Sequence, residues 1–119
     1  MAMSKEALAE ELAHWWSKMA SEEIDMVVRK AVEYGGNGAA LDLIQIGQNL
    51  ALTAGRRVHN EEATELGIYF YIVGKVARWT AAIVEGRRVS DDTILDLGIY
   101  TRMAARNREV GGWPFNREI

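Results

Sequence analysis

The chain contains no cysteine and a single proline, Pro114, in 119 residues. Without thiols there is neither a disulfide framework nor a thiolate metal site, which suits a reducing cytoplasm. With no proline before position 114, no helix ahead of it loses a backbone donor. Alternating β-branched residues are also missing, so nothing predicts strands. A net charge of −3 leaves no basic footprint and disfavours general nucleic-acid binding. The longest apolar run is far short of a bilayer span, and the opening MAMSKEALAEELAHWW lacks a signal peptide's basic-then-apolar order. A soluble, cytoplasmic, all-α protein is expected. Its 49% hydrophobic content predicts one domain over residues 1–119, with a core that needs no staples.

The pattern predicts four to five helices. Ser4 caps a first one running to about residue 20, with Leu8, Leu12, Trp15 and Met19 on one stripe. His14 lies at the edge of its polar face. Trp15 and Trp16 point about 100° apart, so one suits a core and the other a subunit interface or a half-exposed position. Ser21, Glu22 and Glu23 predict a restart that carries Ile24, Val27, Val28, Ala31 and Val32 inward. Tyr34-Gly35-Gly36-Asn37-Gly38 then ends it, since glycine accepts left-handed angles. This loop, with Tyr34 and Asn37, has the freedom to approach a phosphate or a base. It is equally an ordinary helix connection. A third helix over residues 39–54 sets Leu43, Ile46, Gly47, Leu50 and Ala54 opposite Asp42, Gln45, Gln48 and Asn49. His59, just beyond it, is a candidate ligand or phosphate contact and also a simple linker residue.

Residues 60–100 carry the chemistry. They read as a long helix, a short turn and the start of another helix, and each helix has two carboxylates in its first turns. With Glu62 set at zero and 100° per residue, Leu66, Tyr69, Val73, Val76, Thr80, Ile83 and Val84 fall within about 60°, and Glu65 sits at the edge of that arc. With Asp92 at zero, Leu95, Ile99 and Met103 fall within about 60° and Asp96 about 40° away. The acids therefore continue the apolar stripes, which are expected to face the core. Ionised carboxylates turned inward are costly unless paired or bound to metal. A divalent-metal site is one explanation; first-turn placement favoured by the helix dipole is the other, and it covers Glu61 and Asp91 better than Glu65 and Asp96.

Away from the acids, Gly67, Gly74 and Ala81 recur every seven residues as a small-residue strip. Glycine inside a helix is costly, so the strip predicts close approach by another helix, from this chain or from another subunit. A helix apolar on two sides in so small a domain favours oligomerisation. Lys75 and Arg78 supply positive charge about 80° and 140° around from Glu65, at the rim of the acid site or in a pocket shared between subunits. Their alternative fate is solvation or pairing with acids such as Glu85. The last helix runs over residues 90–106, with Ser90 as its cap and Tyr100 near Asp96. Residues 107–119 read as a tail whose Trp113 and Phe115 dock on the body or on a neighbour.

The order ExxE at Glu62 and Glu65, a long apolar helix, and carboxylates Asp92 and Asp96 opening the next helix resembles the MazG-like all-α nucleoside triphosphate pyrophosphohydrolases. EYGG at 33–36, KVAR at 75–78 and DDTILDLGIY at 91–100 are similar to the small MazG-like proteins of bacteriophages and actinobacteria, some of them associated with nucleotide modification. The resemblance implies a helical bundle, dimeric or tetrameric, that holds Mg²⁺ or Mn²⁺ and cuts a nucleoside triphosphate between its α and β phosphates. It makes Glu62, Glu65, Asp92 and Asp96 metal ligands. One departure stands out: the family's second acidic pair is usually ExxD, and here it is DxxxD.

In that reading the ion bridges phosphate oxygens and helps activate water. Glu65 or Asp96 accepts the proton, and Lys75, Arg78, Tyr34, Asn37 and Tyr100 form the substrate contacts. Two other expectations stand beside it. One is a nucleotide-sequestering protein without catalysis. The other is a structural oligomer whose acids pair with Arg56, Arg57, Arg87 or Arg88.

Overall fold

The computed structural model describes residues 2–34 and 40–116, except for the side chains of residues 32–34. It contains four helices, α1 (Lys5–Tyr34), α2 (Leu41–Thr53), α3 (Asn60–Val84) and α4 (Asp91–Val110), and no strand among the described residues. The expected all-α class is what the structure has. By contacts it divides into two units, Met1–Glu33 and Tyr34–Ile119.

The first unit is α1. Ser4 caps it as expected, its hydroxyl accepting the Ala7 N–H at 3.1 Å. The break foreseen at Ser21 does not occur, and the helix runs unbroken for 30 residues. The reason is physical: Ser21-Glu22-Glu23 is a start signal with no glycine or proline ahead of it to end what precedes. Leu8, Leu12, Trp15 and Trp16 are all more than half exposed, so the expected division of the two tryptophans between core and surface is absent. Their rings meet edge to face at 5.6 Å.

The second unit is built on α3. α2 lies antiparallel to its first half at very short range, made possible by two glycines. A Cβ on Gly47 would overlap the Ala63 carbonyl, and one on Gly67 would overlap the Leu43 carbonyl. Buried Leu43, Ala51, Ala63, Thr64 and Ile68 fill this contact. Gly67 thus fulfils the close approach read from the strip, by a helix of the same chain. Gly74 meets nothing within 4 Å.

α4 runs antiparallel to α3 along most of its length. Ser90 caps it by accepting the Thr93 N–H, and Gly111, at φ 80°, closes it with its N–H on the Asn107 carbonyl. Asn107 is fully buried, and its Nδ2 donates to the Glu61 carbonyl at 3.0 Å. The described part of the tail folds back on this unit. The Ala40 N–H donates to the Trp113 carbonyl at 2.8 Å, and the Arg106 guanidinium lies 5.3 Å from the Phe115 ring centre. No helix among the described residues is long and apolar enough to cross a membrane.

The apolar arc expected to face the core does the opposite. Tyr69, Val73, Val76, Ile83 and Val84 are exposed, whereas the small residues Ala63, Thr64, Gly67 and Ala82 are buried. Size explains this. Small side chains let helices touch over a long line of backbone, so α2 takes the glycine side. α2 has 13 residues and α3 has 25, so at 1.5 Å per residue α2 spans about 20 Å of a rod of about 37 Å. The distal half of α3 extends beyond it.

Candidate functional site

The four carboxylates singled out from the sequence are not brought together within one chain. Glu62, half-buried near the start of α3, accepts from Arg56 Nη2 at 2.7 Å across the loop that precedes the helix. Glu65, one turn on, takes a two-pronged bond from Arg108 at the end of α4, at 2.5 Å from Nε and 3.1 Å from Nη2. That guanidinium holds the Glu65 carboxyl below its usual range, against a smaller opposing effect of burial.

Asp96 sits at the other end of the helix pair, 2.8 Å from Lys75 Nζ. Asp92 is exposed in the first turn of α4. Glu65 and Lys75 are ten residues apart on one straight helix, a separation of about 15 Å. Glu65 and Asp96 therefore cannot share one ion within a single chain.

Antiparallel packing dictates this. Carboxylates at the N-terminus of α3 face the C-terminus of α4, and carboxylates at the N-terminus of α4 face the far end of α3. Glu65 and Asp96 each find a basic residue on the opposing helix. Glu65 meets Arg108, and Asp96 meets Lys75. Among the described residues no group of three or more histidine, aspartate or glutamate side chains is placed to hold a metal. Within one chain, Glu62, Glu65, Asp92 and Asp96 do not converge on one Mg²⁺ or Mn²⁺ ion, which takes six oxygens at about 2.0–2.2 Å.

Three of the residues expected to bind substrate do gather, around the distal part of the helix pair. Lys75 is largely covered, its side chain 16% exposed, and bridges to Asp96. One turn along each helix, Tyr71 and Tyr100 stack with rings 15° from parallel and centres 5.8 Å apart. The Tyr100 hydroxyl is held above its ordinary range, first by burial and then by the Asp96 charge; Lys75 and Arg78 pull the other way. Arg78, exposed on α3, is thus close enough for its charge to be felt at Tyr100.

The cluster is cation, carboxylate, two stacked phenols and a second cation, chemistry suited to a phosphate joined to a flat ring. Asn37 and the side chain of Tyr34 lie outside the described residues. Tyr71, a neighbour of the small-residue strip, is not among the substrate contacts expected from the sequence. Its signal was there: Tyr71 and Lys75 are i,i+4, and so are Asp96 and Tyr100, so an antiparallel register faces one pair with the other.

His59 precedes α3 as its cap residue without a side-chain capping bond. It lines an open cavity of about 440 Å³ together with Ile44, Val58, Asn60, Thr64 and Phe115. No protein-family model, no curated protein and no solved structure matches the chain. The resemblance to MazG-like proteins accordingly stands on the short motifs quoted above.

Proposed function

We propose that the protein binds a nucleotide without needing a metal, at the Lys75, Asp96, Tyr71, Tyr100 and Arg78 cluster, and that it does so as a homo-oligomer. The observation that carries the nucleotide reading is the stacked tyrosine pair beside a covered lysine. Phosphate oxygens replace the Asp96 carboxylate on Lys75 and reach Arg78, while the base lies against an aromatic face. Support for self-association comes from the uncovered apolar side chains of α1 and of distal α3. The carboxylates speak for binding ahead of hydrolysis, since three of the four already hold a cationic partner.

Calorimetric titration with nucleoside triphosphates in EDTA tests this. Binding is expected there, weakened tenfold or more by Lys75→Ala and by Tyr100→Ala. Absence of heat in EDTA for every nucleotide contradicts the proposal. Conversion of triphosphate to monophosphate and pyrophosphate in Mg²⁺ or Mn²⁺ establishes instead the pyrophosphohydrolase activity that the resemblance implies.

A further inference from the structure

The corner between α2 and α3 and the corner between α3 and α4 carry one sequence twice. GRRV at 55–58 is followed, after six residues, by Glu65 and LGIY at 66–69; GRRV at 86–89 is followed, after six residues, by Asp96 and LGIY at 97–100. Every matched pair is 31 residues apart. The copies also fold alike. Gly55 and Gly86 follow their helices at φ 70° and 71°, and the next amide in each, Arg56 or Arg87, donates at 2.9 Å to the carbonyl of a buried alanine, Ala51 or Ala82. Both corners then enter the next helix through an extended cap residue, His59 or Ser90.

Because α3 and α4 are antiparallel, a repeat that opens each of them relates the pair by an approximate two-fold axis. Each helix presents an acid and, one turn on, a tyrosine on the same face: Glu65 and Tyr69 on α3, Asp96 and Tyr100 on α4. Each also carries the cation that meets the other helix's acid, six residues past Tyr69 on α3 and eight past Tyr100 on α4. Lys75 meets Asp96, and Arg108 meets Glu65. The Lys75 end is the site described above. The Arg108 end, about 15 Å away along α3, is its counterpart.

We propose that Arg108, Tyr69 and Glu65 form a second, weaker nucleotide site, with a phosphate on the guanidinium and the base on the exposed tyrosine. The proposal rests on the nucleotide reading of the Lys75 end. Arg108 offers a phosphate the same two-pronged geometry that it gives Glu65, and Tyr69, 57% exposed, leaves an aromatic face open for stacking. Glu65 holds the cation when no anion is bound. Weaker binding follows from exposure, since the Arg108 side chain is 72% uncovered against 16% for Lys75 and water screens its charge. The Glu61 carboxylate also acts on Arg108 and opposes an anion there.

Calorimetric titration of the full chain with adenosine triphosphate in EDTA, fitted for the number of sites, decides it. Two sites per chain are expected, about tenfold apart in affinity. Arg108→Ala is expected to abolish the weaker site and leave the tighter one unchanged, and Lys75→Ala to do the reverse. Glu65→Gln reads what a merely structural ion pair would not give: with the competing charge gone, the weaker site is expected to tighten about threefold. Arg108 is exposed and glutamine keeps the shape of glutamate, so far-ultraviolet circular dichroism should be unchanged in these variants. One site per chain overturns the inference; if that site is lost with Lys75→Ala and indifferent to Arg108→Ala, the nucleotide reading of the Lys75 end stands. A second site indifferent to Arg108→Ala, or one that Glu65→Gln fails to tighten, overturns it as well. No binding at all overturns both.

Discussion

The two halves of α3 obey opposite rules. Over residues 60–70 the helix buries Ala63, Thr64, Gly67 and Ile68 and is gripped at backbone distance by α2; over residues 71–84 it shows valine, isoleucine and tryptophan to solvent. In an isolated helix bundle the large side chains would be inside. The difference teaches that side-chain size here records the kind of contact and not the degree of burial. Ala63, Thr64 and Gly67 belong to a contact completed within the chain, while Val73, Val76, Ile83 and Val84 stay exposed in it.

Substitutions at the two glycines give the sharpest contrast. Gly67→Ala drives a methyl group into the Leu43 carbonyl and is expected to cost about 3 kcal/mol, read as a fall in Tm of about 10 °C or more. Gly74→Ala meets open space and is expected to leave Tm unchanged or raise it by a few degrees, since alanine is the better helix former. Equal effects at the two positions would erase the distinction between the halves.

Next in size is Asn107, which ties the end of α4 to the covered half through Glu61. Asn107→Ala removes a fully buried side chain and its hydrogen bond, and about 2 kcal/mol of stability should be lost in urea denaturation. A smaller effect is expected in the distal half. Asp96→Asn weakens the bridge to Lys75 and is worth about 1 kcal/mol. It also removes one of the influences that hold the Tyr100 hydroxyl high, so that tyrosine should ionise at lower pH in an ultraviolet titration.

The smallest effect belongs to Glu65, whose partner Arg108 is 72% exposed. Its carboxyl is held below its unfolded value. The stability it contributes is therefore present above the ordinary glutamate range and lost as pH falls through the lowered folded value. Wild type should melt roughly 2 °C above Glu65→Gln at pH 7, and the two curves should merge in acid. A gap that persists at low pH would assign the effect to packing.

Much of the skeleton could be read from the chain. Ser4 and Ser90 cap the helices they were expected to cap, and the glycines at 55, 86 and 111 take positive φ just after α2, α3 and α4. These signals are local, fixed by a few neighbouring atoms. The orientation of α3 is not local. Tyr69, Val73 and Val76 form the better apolar stripe, yet the covered side is chosen by where Gly47 and Gly67 let two backbones meet. The carboxylates are a similar case. Periodicity places Glu65 and Asp96 on the right faces of their helices, but the partner of Glu65 lies 43 residues away. The antiparallel register that sends the two acids to opposite ends is a property of the pair of helices. Lys75 and Tyr100 were legible as candidates because charge and aromaticity stand out in any register; their convergence required the register itself.

The central proposal is self-association through the exposed apolar side chains of α1 and distal α3. Its most direct test is the concentration dependence of the mass of the unmodified chain by light scattering. The account predicts a rise from 13.3 kDa to twice that value as concentration increases, accompanied by a blue shift of tryptophan emission as Trp79 and the α1 tryptophans leave water. A mass that stays at 13.3 kDa up to millimolar concentration, with emission unchanged, would contradict it.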